Sequence, residues 1–169
     1  INTIEKISLY MGKTNWQIVG QQPYQVQRNS VVHAQFNAAY CFGRALASGT
    51  INLRSFQPPH ISDNIIAELS LKTFMYEDVT YPPTAMEPAR VEILLKNGST
   101  IVRSLDKMKG SPSLPMSDEE AIEKFLGCLE FGMNIDEISA RSFADMVINL
   151  EQLDSIQQLV SAFPTPKIM

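Results

Sequence analysis

The chain has 169 residues, enough for one domain with a substantial core but not for two complete domains. Hydrophobic residues make up 44% and charged residues 19%, as is ordinary for a globular protein. The net charge of −4, with no cluster of Lys and Arg, argues against a nucleic-acid partner, and no apolar run is long enough to predict a membrane span. Cys41 and Cys128 lie in separate apolar helical patterns and predict two unpaired thiols in a reducing, cytoplasmic setting.

The first part of the chain predicts a strand, a loop and a helix. Residues 3–11 alternate apolar and polar side chains with the period of a half-buried strand. Residues 12–27 are polar and irregular, which predicts a long loop with room for one short helical turn. Asn29 or Ser30 then supplies a side-chain oxygen to cap the first helix, and Gly49 ends that helix by accepting a positive φ.

The first helix, Ala34 to Gly49, combines small apolar residues with a line of polar ones. Steps of three or four residues from His33 reach Asn37, Tyr40 and Arg44, which we name the polar seam and predict on one hydrated helix face. His33 can serve as a general acid or base because imidazole titrates near neutral pH. Tyr40 or Asn37 can donate to a developing enolate oxygen, and Arg44 can pair with a substrate carboxylate. The plainer alternative is that the seam is the solvated side of a surface helix.

The middle of the chain predicts one more helix and three more strands. The helix covers about 60–70 and follows a proline pair, and residues 72–79 read as a strand. Asn97-Gly98, a strong hairpin signal because both positions accept positive φ, separates two further strands at 89–96 and 99–105. The four strands are predicted to form one sheet.

The C-terminal part predicts helices. Ser117 and Glu120 form a capping box for the first of them, and two further helical patterns cover about 136–149 and 151–162. The element order predicts an α+β fold, a two-layer sandwich in which helices cover a four-stranded antiparallel or mixed sheet, with extra helices at the C-terminus. We therefore predict a single domain in which the last helices can pack outside the sheet layer.

Few residues favour metal or cofactor chemistry. His33 and His60 have no neighbours at metal-ligand spacing, so no metal site is predicted. The chain has no glycine-rich loop of the kind that cradles phosphates, so no nucleotide cofactor is expected. Lys107 and Lys109 lie in a loop rich in Gly and Pro and are weaker candidates for contact with an anionic ligand.

Three segments carry a family resemblance in their order and spacing. They are AQFNAAYCFGRALASG (34–49), the hairpin PARVEILLKNGSTIVRSL (88–105), and the tail KGSPSLPMSDEEAIEKF (109–125) with NLEQLDSIQQLV (149–160). Together they resemble the second domain of MmgE/PrpD family proteins, which include 2-methylcitrate dehydratase, cis-aconitate decarboxylase and iminodisuccinate epimerase. The resemblance extends over residues 4–162.

The resemblance implies a lid-like α+β domain of an enzyme that acts on a small di- or tricarboxylate without a cofactor. It implies that the main catalytic groups lie in a preceding helical domain, that the last helices pack toward that domain, and that the protein is a homodimer. The chain alone is then expected to be inactive, and the uncovered apolar face is expected to favour self-association. The start of the chain within a predicted strand agrees with a longer parent protein.

The resemblance also implies which residues lie at the interdomain cleft. The Gln35-Phe36 pair and Tyr40 match family residues that line or brace it. In contrast, Ala38 replaces a tyrosine of the dehydratase and decarboxylase branches, and Arg44 replaces an aliphatic residue. The candidates for substrate contact are His33, Gln35, Asn37, Tyr40 and Arg44. The alternative from a different functional class is a non-enzymatic module for dimerisation or small-molecule binding.

Overall fold

The structure is a computed structural model that describes residues 1–20, 23–25 and 30–165. The chain forms two compact units, Ile1–Met108 and Lys109–Met169. The first unit contains the sheet and its helices, and the described residues of the second contain helices but no strand. The assignment of 1–169 to a single domain stays a prediction.

A mixed four-stranded sheet forms the frame of the first unit. Its strands are β1 (Ile4–Met11), β2 (Thr73–Glu77), β3 (Ala89–Leu95) and β4 (Thr100–Leu105). They lie in the order β2-β1-β3-β4, with β2 parallel to β1 and the other neighbours antiparallel. This arrangement confirms the predicted sheet and the α+β class.

Among the described residues, four α-helices lie in the crossover that two parallel strands require. They are α1 (Lys13–Val19), α2 (Val31–Gln35), α3 (Ala38–Ser48) and α4 (Asn64–Leu71). The prediction allowed one short helical turn within residues 12–27, and α1, with 7 residues, is longer than that. It is longer because Trp16 and Val19, three residues apart on one helix face, pack on the sheet core. Residues 21, 22 and 26–29 lie outside the described residues, and with them the predicted cap Asn29.

The hydrophobic core of the sheet lies on its helix-covered face. Alternation along β1 directs Ile7, Leu9 and Met11 to the same side, where they meet helical side chains. The buried members of this cluster are Ile4, Ile7, Leu9, Met11, Leu69 and Ile93. Each large apolar side chain buried here contributes about 1.5–3 kcal/mol of favourable free energy. The core therefore fixes α3 and α4 against the strands.

The helix predicted at 60–70 is shorter than expected. A short 3-10 turn covers His60–Ser62, and α4 begins only after Asp63, whose Oδ1 accepts a hydrogen bond from the Ile65 N–H at 2.9 Å. Asp63 serves as the cap because a carboxylate is a strong acceptor for the first free N–H groups. Gly49 does end α3 with a φ of 75°, as predicted.

The β3–β4 hairpin is confirmed, but its turn differs from the predicted one. Gly98 has a φ of 84°, whereas Asn97 is not among the described residues with positive φ. The Leu95 N–H bonds to the Ser99 carbonyl at 2.8 Å, and the Gly98 N–H bonds to the Leu95 carbonyl at 2.9 Å. These bonds close a three-residue loop, in which one left-handed glycine is sufficient. The Asn97 side chain accepts from the Ser99 N–H at 3.0 Å and holds the turn.

The second unit contains α5 (Asp118–Met133), α6 (Glu137–Ile148) and α7 (Ile156–Ser161). The predicted capping box is confirmed, since Ser117 and Glu120 exchange side-chain and backbone hydrogen bonds. The last helix is shorter than predicted because a 3-10 turn, Leu150–Gln152, precedes it. The buried cluster of this unit is Ile122, Leu126, Leu129, Ile135, Ala140 and Ala144. Several apolar residues of its later helices are exposed instead, namely Val147, Ile148, Leu150, Ile156 and Val160.

Candidate functional site

A cleft of about 360 Å³ opens in the first unit between the sheet and the helices. Its walls come from the end of β1, the start of β3, the end of α1, and the junction between α2 and α3. We call it the junction cleft. The lining is mostly apolar and consists of Leu9, Tyr10, Met11, Val19, Gln35, Asn37, Ala38, Cys41, Phe42, Ala89 and Arg90.

The junction between α2 and α3 positions the two predicted residues that line this cleft. The helix predicted as continuous from Ala34 to Gly49 is broken there, because Asn37 adopts an extended backbone with φ −130° and ψ 111°. Its side-chain oxygen accepts a hydrogen bond from the Tyr40 N–H at 2.9 Å and so caps α3. The break places exposed Gln35 and buried Asn37 at the cleft.

The polar seam predicted Tyr40 on a hydrated helix face, but this prediction is wrong because the side chain is buried. Its side chain is 0% exposed and packs among aromatic rings, with centroid distances of 4.6 Å to Tyr24 and 5.9 Å to Phe56. Its hydroxyl donates to the buried Ser55 carbonyl. Burial, with a smaller contribution from Tyr24, raises the pKa of Tyr40 to about 12. Tyr40 therefore braces the fold as a neutral phenol.

His33 is also engaged in structure. Its ring stacks on Tyr24 at 5.1 Å, and its Nε2 accepts a hydrogen bond from the Gln25 N–H at 3.2 Å. A ring nitrogen that accepts a hydrogen bond does not have a free lone pair to remove a substrate proton. We name Tyr24, His33, Tyr40 and Phe56 the tyrosine cluster. Ser30 caps α2 as predicted, because its side-chain oxygen accepts a hydrogen bond from the His33 N–H at 3.1 Å.

Arg44, the last member of the polar seam, pairs with Asp63. The distance from its Nη1 to Asp63 Oδ2 is 3.5 Å, and its side chain is only 15% exposed. Among the described residues no partner is seen for its buried Nε. This ion pair links α3 to the cap of α4, and Arg44 does not line the junction cleft.

Neither lysine candidate is among the described residues that line this cleft. Lys107 is exposed at the surface of the first unit. Lys109 belongs to the second unit, where its Nζ lies 2.8 Å from Glu120 Oε2. Hydrogen bonds from Lys109 and from the Ser117 N–H hold the pKa of Glu120 below its usual value. Lys109 therefore forms an ion pair with the first turn of α5 in this structure.

Arg90 and Tyr10 are lining residues that the sequence did not identify. They are direct cross-strand neighbours on β3 and β1, with the Arg90 guanidinium carbon 4.0 Å from the Tyr10 ring centroid. The Arg90 guanidinium contacts the Glu92 carboxylate, and its Nη2 lies 3.8 Å from Asp78 Oδ2. The Tyr10 hydroxyl donates a hydrogen bond to Glu92 Oε2 at 3.1 Å. The antiparallel pairing of β3 with β1, whose residues are far apart in the chain, creates this network, and local sequence patterns do not indicate that register.

Cys41 lies at the cleft wall as a thiol. Its Sγ donates weakly to the Ala34 carbonyl at 3.6 Å, and burial raises its pKa to about 11. At neutral pH it is therefore protonated and a poor nucleophile. Cys41 is a free cysteine, as predicted.

The described residues offer no group of three or more His, Cys, Asp and Glu side chains that could hold a metal ion. Their helices also lack the combination of length and hydropathy that a bilayer crossing demands.

Comparison with known protein families gives a match over most of the chain. The family model of the MmgE/PrpD C-terminal domain matches residues 1–152. No curated protein sequence gives a significant match. The family match covers all strands of the sheet, the junction cleft and the helices α5 and α6. Because it extends over far more than half of the chain, this protein belongs to the MmgE/PrpD family, of which it represents the C-terminal domain.

Proposed function

We propose that this domain is the lid of an enzyme that removes a proton from the carbon next to a carboxylate in a small di- or tricarboxylic acid. The observation that carries the proposal is the family match over residues 1–152. The enediolate formed by proton removal then expels its hydroxyl as water, takes a proton back on the other face, or takes a proton at another carbon before carbon dioxide leaves, so that the enzyme is a dehydratase, an epimerase or a decarboxylase. Each of these outcomes passes through an enediolate, which positioned donors and cations stabilise.

The junction cleft supports a role in binding rather than in proton transfer. None of the described residues that line it is a His, Asp or Glu. The exposed Gln35 offers amide N–H groups that can donate to a carboxylate oxygen, and the apolar walls exclude water from the bound molecule. The acid and base of the reaction are therefore assigned to the helical domain that the family resemblance implies.

Arg90 gives the rim of the cleft its shape rather than its charge. Its guanidinium is shared between Asp78 and Glu92, and two carboxylates around one cation leave no excess positive charge for a substrate. Hydrogen bonds from the Thr80 hydroxyl and N–H, together with Arg90, hold the pKa of Asp78 below its usual value. The cation that neutralises the enediolate is likewise assigned to the helical domain.

The proposal includes the partners and setting expected from the resemblance. They are a small carboxylate substrate, a helical domain of the same polypeptide, a second copy in a homodimer, and the cytoplasm. No metal ion or organic cofactor takes part in the proposed reaction, since acid, base and donor groups are sufficient for proton abstraction next to a carboxylate.

Exchange of carbon-bound hydrogen in deuterium oxide tests the reaction class without knowledge of the product. The parent protein, read from the start codon upstream of this domain, is incubated with citrate, cis-aconitate or aspartate-like acids, and proton NMR follows the hydrogens next to each carboxylate. We expect loss of one such signal, or its conversion to product, with at least one acid. The 169-residue chain alone is the control and is expected to exchange nothing.

Three outcomes separate the proposals. Exchange by the parent protein and not by the chain alone supports the enzyme. Exchange by the chain alone contradicts the assignment of the reactive groups to another domain. Absence of exchange in both, together with a rise in melting temperature on addition of one of the acids, supports the non-enzymatic binding module instead.

A further inference from the structure

Cys41 belongs to α3, but its thiol reaches back to the end of α2. Its Sγ lies 3.6 Å from the Ala34 carbonyl oxygen and 4.0 Å from the Gln35 carbonyl oxygen. Ala34 and Gln35 are the last two residues of α2, so their carbonyls have no N–H partner one turn further within the same helix. The Cys41 S–H therefore supplies a donor to carbonyls at the end of α2.

This contact depends on the break in the helix at Asn37. In a continuous helix, residues 34 and 41 would be about 10 Å apart along the axis, too far for a cysteine side chain to reach the Ala34 carbonyl. The extended backbone of Asn37 changes the direction of the chain and brings the thiol within reach. The cap that Asn37 forms with the Tyr40 N–H and the thiol contact of Cys41 therefore hold the two sides of one break.

Contacts with α3 determine where the end of α2 lies. α2 has only five residues, and a helix of this length is not stable by itself in water. Burial raises the pKa of the Cys41 thiol to about 11, so the S–H proton is retained throughout the neutral range and can be donated. The bond is weak, but it acts directly on the helical residue next to the break.

Cys41 and Gln35 also share the junction cleft, since both line it. The Cys41 side chain is half-buried in the cleft wall, whereas Gln35 is exposed. An amide that donates to a bound carboxylate is effective only when it is held in the right direction. The cleft therefore contains both the residue that needs orientation and a residue that contacts its backbone.

We propose that Cys41 is a positioning residue for Gln35: its thiol, together with the cap of Asn37, fixes the end of α2 so that the Gln35 amide faces a carboxylate bound in the junction cleft. The proposal rests on the proposed function for the chemistry of the ligand, but the contact of Cys41 with α2 does not depend on it. Cys41 itself neither attacks the substrate nor transfers a proton. The alternative is that the thiol only fills space between the two helices.

Two substitutions separate donation from packing. Cys41→Ser keeps a donor on a side chain of similar size, whereas Cys41→Val fills the space with apolar atoms and removes the donor. In the 169-residue chain labelled with ¹³C and ¹⁵N, NMR measures the carbonyl shifts of Ala34 and Gln35, which respond to hydrogen bonding, and the side-chain amide shift of Gln35. We expect Cys41→Val to change these shifts and Cys41→Ser to preserve them.

Deuterium exchange by the parent protein, with citrate, cis-aconitate or aspartate, measures the consequence for the reaction. Cys41→Val should lower exchange by about threefold to tenfold, at most as much as loss of the Gln35 donor, and Cys41→Ser should retain most of it. In the Gln35→Ala background, Cys41→Val should lower exchange no further, because residues that act through one contact are not additive. Cys128→Val makes the same change at the exposed second thiol and should leave exchange unchanged.

The outcomes distinguish the positioning role from the proposed function. Circular dichroism verifies that each variant is folded, and Cys41→Ala, which also lacks the donor, replaces Cys41→Val if that variant does not fold. Unchanged carbonyl shifts overturn the positioning role, and so does a double variant whose loss equals the product of the two single losses. Shifts that change in the chain while the parent protein exchanges nothing support the positioning role and overturn the proposed function.

Discussion

The tyrosine cluster and the junction cleft both draw their polar residues from the α2–α3 segment, but those residues have different partners. In the cluster, the Tyr40 hydroxyl and the His33 ring are bonded to backbone groups of neighbouring loops. At the cleft, Gln35 is exposed and lines a cavity of about 360 Å³. A polar residue that satisfies a buried backbone group acts on stability, whereas one that faces a cavity can act on a ligand. The difference predicts two separable classes of variant.

The largest expected effect is a loss of stability in the tyrosine cluster. Tyr40→Ala removes a fully buried ring between Tyr24 and Phe56 and leaves the Ser55 carbonyl without its donor. We expect the free energy of unfolding to fall by about 3–5 kcal/mol. Urea unfolding followed by circular dichroism measures this change. A loss below about 1 kcal/mol would mean that the cluster is not a structural core.

Tyr40→Phe separates the hydroxyl from the ring. The expected loss is about 1–2 kcal/mol, because the ring still fills its site while the buried Ser55 carbonyl is left unpaired. Urea unfolding at pH 7 measures it, with the unchanged chain as reference. The loss should be smaller than that of Tyr40→Ala, and an equal loss would show that the hydroxyl, not the packing, carries the contribution.

The same variant tests the pH dependence of the cluster. The pKa of Tyr40 is raised from 10.0 to about 12, chiefly by burial, so the unfolded chain loses this proton at lower pH than the folded chain. The stabilisation is therefore complete below pH 10 and is lost as the pH rises to about 12. Tyr40→Phe should remove that part of the decline. What remains belongs to Tyr24 and Cys41, since burial raises the pKa of each of them as well.

Elements with local signals could be predicted from the sequence. The alternation of β1, the hairpin around Gly98 and the capping box of Ser117 and Glu120 each depend on residues close together in the chain. The break at Asn37 could not be read in the same way. Asparagine can continue a helix or cap a new one, and here capping α3 prevails because it satisfies the Tyr40 N–H in a buried place.

The composition of the candidate site was predictable only in part. Asn37 was identified from the spacing of the polar seam and Gln35 from the family resemblance, and both line the junction cleft. Their neighbours Tyr10 and Arg90 come together through the register of β1 and β3, whose residues are far apart in the chain. Such pairs depend on tertiary strand pairing, which local periodicity does not determine.

Asn37 belongs to both regions, because it bonds to the Tyr40 N–H and also lines the junction cleft. Asn37→Ala removes the cap of α3 and should cost about 1 kcal/mol, within the range measured for helix caps. Asn37→Asp keeps an acceptor for the Tyr40 N–H and should retain most of the stability. Thermal unfolding of the two variants measures the difference. If Asn37→Asp is as unstable as Asn37→Ala, contacts of the amide group other than the cap dominate.

Gln35 gives the smallest expected effect on stability and the clearest test of the cleft. Its side chain is exposed, so Gln35→Ala should change the free energy of unfolding by less than about 0.5 kcal/mol. If its amide donates to a bound carboxylate, the same substitution should lower turnover of the parent protein about tenfold, since a hydrogen bond to a charged group contributes about 1.5–3 kcal/mol. Gln35→Glu is the matched variant, because it keeps the size of the side chain while replacing the donor with a carboxylate that repels the substrate. Urea unfolding and deuterium exchange on the same samples show whether Gln35 acts on stability or on a ligand. A large loss of stability in Gln35→Ala would mean that this residue supports the fold, as the tyrosine cluster does. Unchanged exchange by the parent protein would remove Gln35 from the site.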